Sequence, residues 1–301
     1  MISVFTIPKP FEGHIEVIQR NAITSWTLLD PRPEIILIGD EPGTAEVAEE
    51  LGLRHVPEVA RDEFGTPLVN DAFDKARGAA SHDLLAFVNA DIILMSDFMK
   101  AVASLSGWGR PFLMVGERWW TDIDRPVDFS PRWEDWVRSA PGQRGRRDGM
   151  DYLVFTRGVF TSIPPFAIGR LAYDNWLIWA ARKRGVAVVD ATRVILAVHQ
   201  GHDHALSSIP GSDDAGQSAK LRPYMYPDRA PEAVANRELA GGWTRLYTLD
   251  HATHLLESTG VRPNMRAARL SATLTTWKRR AIDNTRSLRH TLGSHSPHAP
   301  R

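Results

Sequence analysis

Polar and apolar positions along the first hundred residues switch repeatedly between two periods. Ile2 to Ile7 is a short β-rich run that ends at Pro8-Lys9-Pro10. From His14 to Leu28 the apolar residues Ile15, Ile18, Ala22, Ile23 and Trp26 recur at helical spacing until Asp30-Pro31 stops them. Glu34 to Ile38 is a continuous apolar run of the kind buried on both faces of a sheet. Thr44 to Leu51 predicts a helix with Thr44 as its N-cap, and Arg54-His55-Val56 a third strand. Leu68 to Ala79 predicts another helix and Leu84 to Val88 a fourth strand. Strands alternating with crossover helices imply an α/β fold with a mostly parallel central sheet flanked by helices.

Beyond this point the pattern weakens. Ser106 to Arg147 is rich in Trp, Arg, Pro and Gly and shows little periodicity, and Gln143 to Gly149 reads as a mobile loop. Regular signals return in a strand over Asp151 to Phe155, a helix over Leu171 to Lys183, a strand over Val186 to Asp190 and an apolar run over Val194 to Val198. Residues 206–232 read as a long loop, and Glu232 to Glu257 as two helical pieces around Gly241-Gly242. The organisation expected is a main domain over 1–205, with a first half over 1–98 and a second over 99–205. A loop and helical extension follows over 206–265, then a basic, partly disordered tail over 266–301.

In parallel sheets ligands gather at the carboxyl ends of the strands. Thr6-Ile7-Pro8-Lys9, Gly39-Asp40 and Asn89-Ala90-Asp91 all fall there. Asn89 and Asp91 alternate after a buried strand, which puts both side chains on one side of the chain. An Asp so placed suits a hard divalent cation, Mn²⁺ or Mg²⁺, that shares its remaining positions with phosphate oxygens and neutralises a departing diphosphate. Asp40 is a candidate for a base or ribose contact, Lys9 and Arg61 for phosphates, and Asp151 for the acceptor or donor sugar; turn and surface duty is the competing account of each.

The order of these pieces resembles the family 2-type glycosyltransferases of the GT-A fold. A loop, Gly65-Thr66-Pro67, precedes a helix bearing Asn70 and Ala76, and a strand then ends in the D-x-D-like triplet Asn89-Ala90-Asp91. The resemblance covers roughly residues 2–98. It implies that Gly65, Thr66 and Asn70 help hold the nucleotide and that the triplet holds the metal. Asn89 replaces the triplet's first acid, which leaves Asp91 as the stronger ligand. Downstream, Asp174 followed by Arg182-Lys183-Arg184-Gly185 looks like the family's acidic motif, which makes Asp174 the catalytic base and implies inversion. A first-turn carboxylate stabilised by the helix dipole is the alternative, and a retaining mechanism stays open. His199, after an apolar run, matches the late histidine that such enzymes often supply to the metal or the diphosphate. His202 and His204 lie close by as phosphate or acceptor contacts, or as part of a zinc site for which nothing fixes a fourth ligand.

Composition changes this picture in three places. Lys+Arg and Asp+Glu balance at 36 each, which points away from a nucleic-acid partner. Five of the 10 tryptophans (Trp108, Trp119, Trp120, Trp133 and Trp136) fall close together, either as core or as a sugar-stacking surface for the acceptor, with Trp119 and Trp120 the first candidates. The tail carries Arg266, Arg269, Lys278, Arg279, Arg280, Arg286, Arg289 and Arg301 against Asp283, which suits either a solvated end or a helix lying on an anionic membrane. No cysteine is present, which excludes disulfides and thiolate metal sites. The absence of a basic segment ahead of the first strand argues against a signal peptide and makes a cytoplasmic enzyme the default. The partners expected are a nucleoside diphosphate sugar and a carbohydrate or other hydroxyl acceptor. A nucleotidyltransferase and a non-catalytic sugar- or nucleotide-binding protein are the rivals.

Overall fold

The apolar runs become strands because each is covered on both faces. In the computed structural model, β1 (Ser3–Thr6), β2 (Glu34–Ile38), β3 (Arg54–Val56) and β4 (Leu84–Val88) pair in parallel, with β1 between β2 and β4, and β3 beyond β2. Alternation along the pleat divides their side chains between two cores. Val4, Ile35, Leu37, Ala86 and Val88 enter one, and Phe5, Ile36, Ile38, Leu85 and Phe87 the other. Helices α1 (Gly13–Thr27) and α2 (Thr44–Leu51) close the first side, and α3 (Val69–Ala79) the second, where Phe73 stacks on Phe155 at 5.5 Å. The structure describes residues 1–201, 231–242, 244, 247–259 and 264–267. His202, His204 and most of the basic tail lie outside the described residues.

Thr44 is not the N-cap of α2. Gly43 takes that position at φ +84, and Thr44 starts the helix with its hydroxyl buried. A Cβ on Gly43 would lie 2.7 Å from Cβ of Phe11, so both the dihedral and the space demand glycine.

The weakly patterned middle contributes more of the sheet than its composition suggests. β6 (Phe112–Val115) is a fully buried strand of the nine-stranded main sheet, whose order among the described residues is β13 (Asn264–Ala267), β12 (His254–Ser258), β10 (Ala187–Asp190), β6, β9 (Tyr152–Thr156), β4, β1, β2, β3. β9 (Tyr152–Thr156) runs antiparallel between β4 and β6, and β10 (Ala187–Asp190) returns parallel to β6. Five of the eight pairings in this sheet are parallel, so it is mostly parallel as expected. α4 (Ser96–Ser106) and α6 (Tyr173–Lys183) add helical cover. A second sheet runs β5 (Ile92–Ile93), β11 (Ala197–Gln200), β7 (Arg118–Thr121), β8 (Gly142–Arg144), with α5 (Trp133–Ser139) packed against it through Val137.

Two expectations are corrected here. Gln143 to Gly149 is held in place: β8 pairs with β7, and Arg147 binds Glu117 at 2.9 Å, Asp190 at 3.1 Å and Asp250 at 2.5 Å. Among the described residues only the first of the two helical pieces after residue 231 forms, as α7 (Pro231–Ala240). A 3₁₀ turn at Leu249–His251 leads instead into β12 (His254–Ser258), which joins β10 in parallel and pairs with β13 (Asn264–Ala267). Leu256 is fully buried, and its register on the sheet outweighs the weak helical spacing around it. Among the described residues no helix is long and apolar enough to cross a membrane.

Candidate active site

The carboxyl end of β4 is where the two sheets meet. Asn89-Ala90-Asp91 follows β4 directly, and β5 then leaves for the second sheet, where Ile92 faces His199 of β11. That pairing carries a buried imidazole (2% exposed) to the triplet, with Nε2 of His199 3.5 Å from Oδ2 of Asp91. Gln200 donates from its side-chain amide to the carbonyl of Asp91 at 3.1 Å, which fixes the backbone that presents the carboxylate. On β7, opposite His199, Trp120 lies against the imidazole with ring centroids 4.1 Å apart.

Asn89 faces another partner. Its amide Nδ2 donates to Oδ1 of Asp151 at 2.9 Å and its backbone N–H to the Asp151 carbonyl at 2.9 Å. The Asp151 carboxylate also accepts from Nη1 of Arg118 and is only 4% exposed; Arg118 is 8% exposed. The guanidinium in turn lies 4.7 Å over the ring of Trp120. Gly149 leaves it room, since a Cβ there would come within 2.4 Å of Nη2 of Arg118. A buried ion pair of this kind holds only if both ends are oriented, and here each end has a second contact.

Asp174 completes the cluster from α6. The residue as a whole is half-buried. Desolvation pushes its carboxyl up to about 7, the negative charge of Asp151 adds to the rise, and the Asn175 N–H and Arg118 oppose it. The loop before α6 sets its position. Ala172 precedes the helix at φ +87, in a region that costs a non-glycine residue energy. Asn236 of α7, 1% exposed, accepts from the N–H of Ala167 at 2.8 Å and donates to the carbonyls of Ala167 at 3.0 Å and Leu171 at 3.3 Å. Removing that side chain takes a partner from three backbone groups, two of them on the buried Ala167. Asn236→Ala is therefore expected to cost about 3 kcal/mol in urea denaturation and to lower Tm by several degrees.

The other candidates from the sequence form a separate group or turn inward. Thr6 is fully buried, with its hydroxyl unpartnered among the described residues. Lys9 is exposed, and its backbone N–H and carbonyl are both bound by the side chain of Gln19. Arg61 spends its guanidinium on Asp40 at 2.5 Å, Glu41 at 2.7 Å and the Gly65 carbonyl at 2.8 Å. Asp40 and Arg61 border a cavity of about 460 Å³ at the carboxyl ends of β2 and β3. Thr66 donates to Glu232 at 3.1 Å, and Arg170 shares the same carboxylate oxygen at 2.8 Å. Asn70, in the first turn of α3, has a buried Oδ1 with no partner among the described residues. Pleating sends Trp119 and Trp120 to opposite faces of β7, so Trp120 reaches His199 while Trp119 packs against the apolar cluster of Ile93, Met95 and Val137. Arg118 escapes sequence reasoning altogether. It follows the cryptic strand β6, and nothing local to the sequence marks an arginine as buried.

The chain matches no protein-family model and no curated protein. Among solved structures it is similar over part of its length to a mannosyltransferase from Pyrobaculum calidifontis in complex with GDP-Man and Mn²⁺, at 14% identity and TM-score 0.43, covering 68% of this chain and 58% of that one. It is also similar to the glucosyl-3-phosphoglycerate synthase from Mycobacterium tuberculosis in complex with Mn²⁺, UDP and phosphoglyceric acid, at 19% identity and TM-score 0.42, covering 67% of this chain and 72% of that one. TarS from S. aureus in complex with UDP-GlcNAc follows at 17% identity and TM-score 0.32, covering 43% and 37% of the two chains.

Proposed function

We propose that the chain is a glycosyltransferase that moves a sugar from a nucleoside diphosphate sugar to an acceptor hydroxyl, with a divalent cation and with inversion at the anomeric carbon. One observation carries the reading. A carboxyl held near pH 7 (Asp174) shares a strand-end cluster with a carboxylate–imidazole pair (Asp91 and His199) and with a buried ion pair (Asp151 and Arg118). Groups with such different tasks seldom converge for packing alone.

The donor set suits Mn²⁺ or Mg²⁺ bound mainly through the diphosphate. Asp91 and His199 offer two ligands, and among the described residues no three acidic, histidine or cysteine side chains are arranged to hold a metal ion on their own. When bound, the ion would neutralise charge on the departing diphosphate. Asp174 takes the proton of the acceptor hydroxyl as that oxygen attacks. Its affinity near neutrality lets it start ionised and finish protonated without a large cost in either state. Asp151, fixed by Asn89 and Arg118, holds the sugar hydroxyls beside it. The cavity at Asp40 and Arg61, bounded on its α3 side by Asp71 and Lys75, suits the base and ribose.

A thermal-shift series with UDP, GDP, ADP, CDP and dTDP, each with and without Mn²⁺, tests the reading. At least one diphosphate is expected to raise Tm, more so with the metal, and a ligand at a hundred times its Kd adds about 2.7 kcal/mol. Asp91→Ala is expected to abolish the metal-dependent part while leaving the unliganded Tm within a few degrees. If no diphosphate stabilises the protein under either condition, the assignment fails.

A further inference from the structure

The chain that follows β7 away from the site borders a second concavity, of about 700 Å³, between residues 125–132 and α5. Trp136 presents its indole there at 39% exposure, the only exposed tryptophan among the described residues. Trp133 sits one helical turn before it on the same face of α5, with its ring braced edge-on by Phe129 at 5.1 Å. Around these rings lie the polar groups of Arg125, Asp128, Arg132 and Asp135. Among the described residues the side chains of Arg132 and Asp135 form no ion pair, and Arg125 has only the ring of Trp136, 5.8 Å away.

The wall is rigid where it needs to be. Glu134 accepts from both the N–H and the hydroxyl of Ser96 at 2.8 Å, and Arg138 binds Asp97 at 2.9 Å, which ties α5 to α4. The opposite wall is fixed through Asn21 of α1, which donates to the Arg125 carbonyl at 2.9 Å and accepts from the Val127 N–H at 2.9 Å. An exposed indole on a helix so tied offers a flat apolar face on which the apolar face of a ligand can stack. The groups beside it are hydroxyl-binding ones of both signs, so no single charge dominates the ligand. Those two requirements together describe a saccharide, with an apolar C–H face and a rim of hydroxyls.

We propose that this concavity is a carbohydrate-binding subsite. A pyranose stacks on Trp136, and Arg125, Asp128 and Asp135 hydrogen-bond its hydroxyls. For the role of that sugar, as a unit of the acceptor remote from the reacting hydroxyl, the inference rests on the proposed glycosyl transfer; for binding itself it does not.

Isothermal titration with maltotriose, cellotriose, mannotriose and chitotriose separates the two. At least one trisaccharide is expected to bind saturably to the full chain without nucleotide. Trp136→Ala is expected to weaken it about tenfold, Trp136→Phe less, and Asp91→Ala not at all. Melting curves for the Trp136 variants should overlay the parent, because the side chain lies outside the apolar clusters. No saturable binding by any of the four sugars overturns the proposal, as does binding that Trp136→Ala leaves unchanged. Saccharide binding in a protein that no nucleoside diphosphate stabilises would sink the transferase reading and leave the subsite standing.

Discussion

Asp174→Asn is expected to cut sugar transfer by about 10²–10⁴-fold while making the protein more stable at neutral and alkaline pH. The two effects share one cause. The Asp174 carboxyl is raised to about 7 in the folded protein from an ordinary value of 3.8, because folding strips water from its charged form. Between these two values the folded chain binds a proton that the unfolded chain has released. Stability therefore falls as pH rises through this interval, and the cost of the buried charge is complete above about pH 7. Asparagine carries no such charge. The difference in unfolding free energy between variant and parent should be near zero at pH 4 and grow to roughly 2–4 kcal/mol by pH 8. Catalysis runs the other way. A base must be ionised, so the parent's kcat/KM should fall tenfold per unit as pH drops below about 7, a limb the variant lacks. Urea denaturation at a series of pH values, beside initial rates, checks both. A variant that transfers sugar as fast as the parent would remove Asp174 from the base role.

How much of this was legible in the sequence follows from how local each feature is. β2 and α2 form over the residues their patterns predict, because continuous burial and amphipathic spacing are written into consecutive residues. Asp91 and Asp174 stand out for the same reason: a strand end and a helix start are local events. β6 was hidden because four apolar residues between Arg110-Pro111 and Gly116-Glu117 are too few to register against a Trp- and Arg-rich background. Its place at the middle of the sheet depends on β9 and β10, which come 37 or more residues later in the chain and cannot be read from the segment itself. The partnership of Asn89 with Asp151 is hidden for the same reason. The substitution of Asn for an acid in the triplet looks like a lost metal ligand in the sequence. In the structure the amide supplies the hydrogen-bond donor that a neighbouring carboxylate needs, which a second acid in that place would not.

That exchange makes Asp151 the residue whose loss should be felt most widely. Its carboxylate is the buried counter-charge to Arg118, and it also accepts from Asn89. Asp151→Ala takes that counter-charge from a buried guanidinium and a partner from the half-buried Asn89 amide, and should cost of order 3 kcal/mol in urea denaturation. Replacing both ends with apolar groups of similar size, Arg118→Met with Asp151→Leu, should recover most of that loss, because the desolvation penalty goes with the charges. Transfer activity should not return with stability, since the apolar pair offers no hydrogen bonds to a sugar. Asp151→Asn isolates the electrostatic part. The negative charge of Asp151 raises Asp174 and the positive charge of Arg118 lowers it. Removing the first leaves the second unopposed, so Asp174 should ionise at a lower pH and the acid limb of kcat/KM should move down with it. A limb that stays in place while stability falls would mean that Asp151 serves the fold and does not act on the base.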